Sequence, residues 1–294
     1  MPTANYPASD VRGLPKQVEL NGVPFYPQEQ YQCGPAALAT VFSYNGLSVL
    51  PSDLAKQVYL PGREGSLQVE MLAASRRAGL LPYVLGAEPD AMLKELAAGH
   101  PVIVLQNLQF KFFPDWHYAV LIGYDLANSE VILHSGTNRR LAMTLDDFDR
   151  SWSKSGRWAF VALPPRQLPA SADESDFVES AVALESVSPQ AARVAYATAI
   201  TKWPDNLIAR IGLGNAAYGL HEFAEAEAEY RRATVDHPGS GDAWNNLAQV
   251  LHDLGRNKAA LEAARHAVSI GGDRKTVYES TMQAISKALA IHSN

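Results

Sequence analysis

The 294-residue chain predicts an α+β domain, with N-terminal helices packed on an antiparallel sheet, followed by an all-α domain of helical repeats. Three observations carry this reading. Between Cys33 and Gly99 the chain reads as a series of helices. From Pro101 to Leu163 short Val- and Ile-rich runs alternate with turn residues, which is the strand pattern. Beyond Pro164-Pro165 the helical pattern resumes and no strand pattern returns. The predicted boundaries are an extended arm over 1–16, the α+β domain over 17–165, a proline-bearing polar linker over 166–175 and the repeat domain over 176–294.

Composition narrows the function classes. Hydrophobic residues make up 47% and charged residues 19%, enough for two ordinary cores. A net charge of −6 with no basic patch argues against nucleic acid and against acidic lipid surfaces. No stretch reaches the roughly 18 apolar residues of a membrane span. The N-terminus lacks both the basic start and the apolar run of a signal peptide, so the expectation is either a cytoplasmic protein or an export segment removed ahead of Met1. A single cysteine leaves a free thiol and no internal disulfide.

In chain order, Pro2, Pro7, Gly13 and Pro15 mark the arm, and Gln17 to Tyr26 reads as an extended approach to the cysteine. The run Cys33-Gly-Pro-Ala-Ala-Leu-Ala-Thr-Val-Phe-Ser-Tyr44 is a helix start followed by a buried helix. A thiol at a helix N-terminus meets free backbone N–H groups that stabilise its anion, which points to Cys33 as a nucleophile. Gly34 is read as room for a substrate backbone. A lone cysteine is more often a small buried hydrophobe, so the reading leans on its polar neighbours, Gln28 above all. Further helices are predicted at Ser52 to Val58 with Ser52 as N-cap, Leu67 to Ala78 ended by Gly79, and Pro89 to Ala98 ended by Gly99. Leu60 to Ser66 reads as a loop. Strands are predicted at Pro101 to Gln106, His117 to Tyr124, Val131 to His134 and Arg157 to Leu163. His117 enters its strand after an aromatic loop, Phe110 to Trp116, where an imidazole can face a cleft and take the Cys33 proton. His100 and His134 are the other histidines of this domain, and no histidine pair has metal-ligand spacing. No cofactor is expected.

Gln28, then Cys33-Gly-Pro-Ala-Ala-Leu38, then His117-Tyr-Ala-Val120 followed by Gly123-Tyr-Asp125 resembles the papain-like cysteine peptidases that trim double-glycine leader peptides from bacteriocins. The resemblance covers about residues 18 to 165. It implies Cys33 as nucleophile, His117 as general base and Gln28 as an oxyanion-hole donor. The family commonly carries an Asp, followed by Pro, at the end of the next strand to orient the histidine. Here that strand reads Val131-Ile-Leu-His-Ser-Gly136, with Ser135 at the orienting position and Asn138 as the alternative. Neither supplies a charge for an imidazolium.

The second domain repeats. Pro204 and Pro238 stand one 34-residue period apart, and at the same offset Leu213 matches Leu247, Gly214 matches Ala248, Leu220 matches Leu254, Ala226 matches Ala260 and Ala233 matches Ala267. This resembles tetratricopeptide repeats over about residues 175 to 292, with an earlier unit at Ala192, Tyr196 and Ala199 and a capping helix at Tyr278 to Ile291. Such arrays commonly bind peptides or partner proteins. The histidines here, at 221, 237, 252, 266 and 292, read as surface or packing residues. The combined expectation is a cysteine peptidase acting on a peptide or protein, its repeats recruiting the substrate or a partner. The alternative is an inactive peptidase-like domain serving as an adaptor, and acyl transfer to an amine is a third class. The resemblance further implies a bacterial exported protein, periplasmic and anchored by a lipidated cysteine ahead of the mature domain.

Overall fold

The structure, a computed structural model, describes residues 13–27, 32–63, 65–109 and 114–292. Gln28, the loop residues Phe110 to Phe113 and most of the predicted arm lie outside the described residues. The chain divides into two compact units, 1–180 and 181–294.

In the first unit β1 (Gln17–Glu19) leads to α1 (Cys33–Tyr44), α2 (Pro51–Val58), the short strands β2 (Tyr59–Leu60) and β3 (Gly65–Ser66), α3 (Gln68–Arg77), β4 (Leu81–Val84) and α4 (Pro89–Ala97). Then follow β5 (Val102–Asn107), β6 (Trp116–Asp125), β7 (Glu130–Ser135), β8 (Asn138–Thr144), α5 (Leu145–Trp152) and β9 (Ala159–Leu163). One sheet runs β4-β9-β5-β6-β7-β8, every neighbour antiparallel. β1 joins β6 where β5 stops: β5 pairs β6 up to Leu121, and β1 pairs it from Gly123 to Asp125. A Cβ on Gly123 would lie 2.3 Å from the Val18 carbonyl oxygen, so only glycine admits β1 there.

The sequence places α1 well. Gly34 to Phe42 are all buried, and Ala37, Leu38, Val41 and Phe42 form one core with Ile103 and Leu105 of β5 and Tyr118, Val120 and Ile122 of β6. The alternate residue Gln106 points to the other face, where it donates to Ser151 Oγ of α5 at 2.6 Å. Helices therefore cover both faces, and the site-bearing strand is held from each side.

Several local expectations are corrected. α2 starts at Pro51 with Leu50 in the N-cap place, so Ser52 caps nothing; the ring of Pro51 already has the φ of a first helical residue. The expected loop from Leu60 to Ser66 is a tight hairpin, Tyr59 opposite Ser66, closed by a 3₁₀ turn at Pro61–Arg63. The segment from Pro164 onward is bonded to the first unit: Ser171 N and Oγ donate to Glu95 Oε1 at 2.7 and 2.6 Å, and Asp173 N donates to the Tyr83 hydroxyl at 2.9 Å.

α6 (Glu174–Val182) begins in the first unit and ends in the second. The second unit is helical: α7 (Pro189–Lys202), α8 (Leu207–Gly219), α9 (Phe223–Asp236), α10 (Gly241–Asp253), α11 (Asn257–Ile270) and α12 (Lys275–His292). The repeat is visible in its caps, since Asn206 and Ser240, one period apart, each accept from the N–H three residues on, at 2.8 and 3.2 Å. It is visible also in packing, where Gly214 of α8 lies against the ring of Tyr230 in α9. His237 contacts the Asp205 carbonyl at 2.7 Å and His266 stacks on Trp244, so both serve local packing.

Candidate active site

Cys33 is the first residue of α1, whose ladder opens with Ala36 N donating to Gln32 O at 3.1 Å. The side chain of Gln32, in the N-cap place, makes no capping hydrogen bond among the described residues. The sulfur instead receives the backbone N–H groups of Tyr118, Gly34 and Cys33 itself. These donors and the helix end favour a thiolate, but burial outweighs them and pushes the Cys33 thiol above its ordinary range. The stabilisation of a thiolate expected from the helix N-terminus thus meets a stronger opposing effect, desolvation.

Gly34 has a different use from the one expected. A Cβ there would lie 2.5 Å from Ser66 Oγ and 2.7 Å from Ser66 Cβ, so the space above it is filled by β3 and not by a substrate backbone. Ser66 in turn accepts at its carbonyl from the Tyr118 hydroxyl, 3.2 Å away. Tyr118, Ser66 and Gly34 thus close a ring of contacts around Cys33. The hairpin was invisible to a sequence reading because its strands are two residues each.

His117, half-buried at the start of β6, places Nε2 2.9 Å from Ser135 Oγ at the end of β7. Ser135 is buried, and its partner across the β7–β8 turn is Asn138. It is Ser135 that meets the ring. Burial holds His117 below the ordinary imidazole range, while the negative charge of Asp115 acts in the opposite direction. Among the described residues Cys33 and His117 form no direct hydrogen bond. The sulfur receives the backbone N–H of Tyr118, the residue after His117, and burial favours the neutral form of each group. Catalytic hydrogen bonds commonly tighten only once a substrate is bound. Gln28 falls outside the described residues.

The other two histidines of this unit are engaged elsewhere. His100 Nδ1 bonds the buried Glu95 at 2.7 Å. His134 places Nε2 3.3 Å from the Val23 carbonyl and Nδ1 on the Arg139 carbonyl, tying β7 to the approach segment and the β8 hairpin. Two residues of the site went unread in the sequence: Ser66, which had no signal, and Asp115, whose spacing two before His117 was a usable one.

Residues 20–160 match the family model described as Peptidase_C39 like family, and residues 211–274 match that of the tetratricopeptide repeat. A putative C39-like peptidase from Bacillus anthracis is 18% identical over 51% of this chain and 98% of its own, with a TM-score of 0.42. A double glycine motif protease from an AMS/PCAT transporter, in complex with the leader peptide, is 23% identical over 48% of this chain and 90% of its own, with a TM-score of 0.38. The TPR2B domain of yeast Sti1, in a pHsp70 complex, is 19% identical over 38% of this chain and 98% of its own, with a TM-score of 0.36. No curated protein matches the chain.

Proposed function

We infer, from a Peptidase_C39-like domain joined to tetratricopeptide repeats in one chain, that the protein is a cysteine peptidase whose repeats recruit its peptide or protein substrate or a partner. The observation that carries this is the His117 Nε2 to Ser135 Oγ contact at 2.9 Å, with the Cys33 sulfur on the neighbouring Tyr118 N–H. When Nε2 donates to Ser135, the ring keeps its proton there and leaves Nδ1 as the base. Nδ1 takes the thiol proton as sulfur attacks the scissile carbonyl carbon. The negative charge moves to the carbonyl oxygen, where the Cys33 N–H and Gln28 are the assigned donors. The imidazolium returns the proton to the leaving amine, and water then hydrolyses the thioester with His117 again as base. Ser135 orients the ring without charging it.

The neutral resting pair favours one further reading, a domain that holds peptides without cutting them. Incubation of the full chain with a peptide library, followed by mass spectrometry for new termini and for an acyl adduct on Cys33, separates the two. New termini that vanish in Cys33→Ala and in His117→Ala support the peptidase. Binding without new termini, together with Cys33 alkylation indifferent to His117→Ala, overturns it.

A further inference from the structure

We propose that Asp115 is the charge partner of His117, a positioning residue that supplies from the loop before β6 the carboxylate that Ser135 does not. This rests on the peptidase reading given above. Its backbone is pinned. Leu108 N donates to Asp115 O at 2.9 Å, which carries the β5–β6 ladder one pair beyond Asn107 and Trp116. Asp115 N donates to Asn107 Oδ1 at 3.0 Å, and Gln109 N donates to the same oxygen at 3.1 Å. Asn107 is buried, and Lys154 Nζ ties the same corner by donating to the carbonyls of Gln109 and Asn107 at 2.7 and 3.3 Å. In extended chain residues i and i+2 share a face, so Asp115 and His117 lie on the same side of the strand. Among the described residues Asp115 makes no ion pair.

Among the described residues, the charged and titratable groups on the elements bordering His117 are few. Cys33 at the start of α1 receives the N–H of the next residue, Tyr118, Asp115 stands just before β6, and Lys154 lies beyond α5 with its ammonium on backbone carbonyls; Arg139 stands on β8, next to the turn that follows Ser135. Of these, Asp115 acts on both members of the pair, favouring the charged form of His117 and disfavouring the charged form of Cys33. The two effects do not cancel during the reaction. Negative charge leaves the sulfur for the carbonyl oxygen as the bond forms, whereas the imidazolium persists until the amine takes its proton. A carboxylate beside His117 therefore opposes a free thiolate but supports the charged intermediate.

The test uses the full chain with Asp115→Asn and Asp115→Glu, reading the His117 titration by imidazole proton NMR and Cys33 alkylation by iodoacetamide against pH. Neither readout needs a substrate. Asp115→Asn is expected to lower both midpoints, and Asp115→Glu to restore them. Because Asp115 is exposed, raising the salt should move wild type toward the Asn variant and leave that variant unmoved, the screening length falling from about 10 Å at 0.1 M to about 3 Å at 1 M. With a cleaved peptide in hand, Asp115→Asn should lose about tenfold in kcat with KM unchanged. A His117 midpoint equal in wild type and Asp115→Asn at low salt overturns the proposal. A midpoint that shifts in a protein that cuts no peptide upholds the charge pairing and sinks the peptidase reading.

Discussion

Ser135 meets His117 with a hydroxyl 2.9 Å away, which fixes the ring but leaves its cation without a countercharge at that nitrogen. A carboxylate at the same place would do both. Ser135→Asp is therefore expected to raise the His117 titration midpoint and to speed peptide hydrolysis by about tenfold, equivalent to about 1.4 kcal/mol of barrier. Rates of product formation for the two proteins, alongside the NMR titration, check this; an unchanged rate with a raised midpoint would show that the ring cation is not limiting. Gly34 supports a second prediction at this scale. Its missing Cβ is the space that Ser66 fills, so Gly34→Ala must displace the β2–β3 hairpin or the helix start. Overpacking of this kind costs about 1–3 kcal/mol, read as a lower urea midpoint of the first unit, and should also slow Cys33 alkylation. Gly34→Ala with wild-type stability would mean the hairpin yields freely.

At the level of elements, what was legible followed the strength of local signals. α1 was legible because nine consecutive buried positions, Gly34 to Phe42, sit behind a Gly-Pro start. β5, β6, β7 and β9 were legible because central strands are nearly continuous apolar runs, all six residues of β5 being buried. The edges were not. β4 contains Pro82, which argues against a strand unless it lies at a sheet edge, where it does lie. β8, the other edge, reads Asn-Arg-Arg-Leu-Ala-Met-Thr and shows solvent most of its side chains. α5 announced itself only through Thr144, whose hydroxyl accepts from Asp147 N at 3.1 Å, a capping signal easily passed over beside an unread strand. The histidine's serine partner was placed by resemblance, since nothing in Val131-Ile-Leu-His-Ser135 itself names a triad. Between α4 and the segment after β9 lies a further test. Glu95 is fully buried, and while burial raises a carboxyl, the bonds from His100 and Ser171 hold this one below its ordinary range. A group so depressed stabilises the fold above its unfolded value, 4.5, and loses that contribution as pH falls through the folded value. Glu95→Gln should cost about 1–3 kcal/mol at pH 7 and progressively less on acidification, measured by urea unfolding across pH. A cost independent of pH would mean that Glu95 acts through shape alone.

For the whole molecule, two units with separate cores imply that each carries its own stability, and the pH response of the first is set by groups of opposite sign. His117 is depressed by burial from 6.5, so its contribution is complete above that value and is lost as pH falls through the folded value. Cys33 is raised by burial from 9.0, so its contribution is complete below 9.0 and is lost as pH rises through the folded value. The stability of the first unit should therefore form a plateau between about 6.5 and 9.0, falling on either side. The variants separate the limbs. His117→Ala should delay the acid fall until Glu95, with its ordinary value of 4.5, begins to matter. Cys33→Ala should delay the alkaline fall until the buried tyrosines Tyr118, Tyr124 and Tyr83, all raised from 10.0, take over. Urea midpoints at half-unit steps of pH, followed by hydrogen exchange in the amides of β5 to β7, keep the reading local to this unit. If both variants keep the wild-type onsets, then Cys33 and His117 are not desolvated in solution, and the neutral resting pair from which the mechanism starts does not exist.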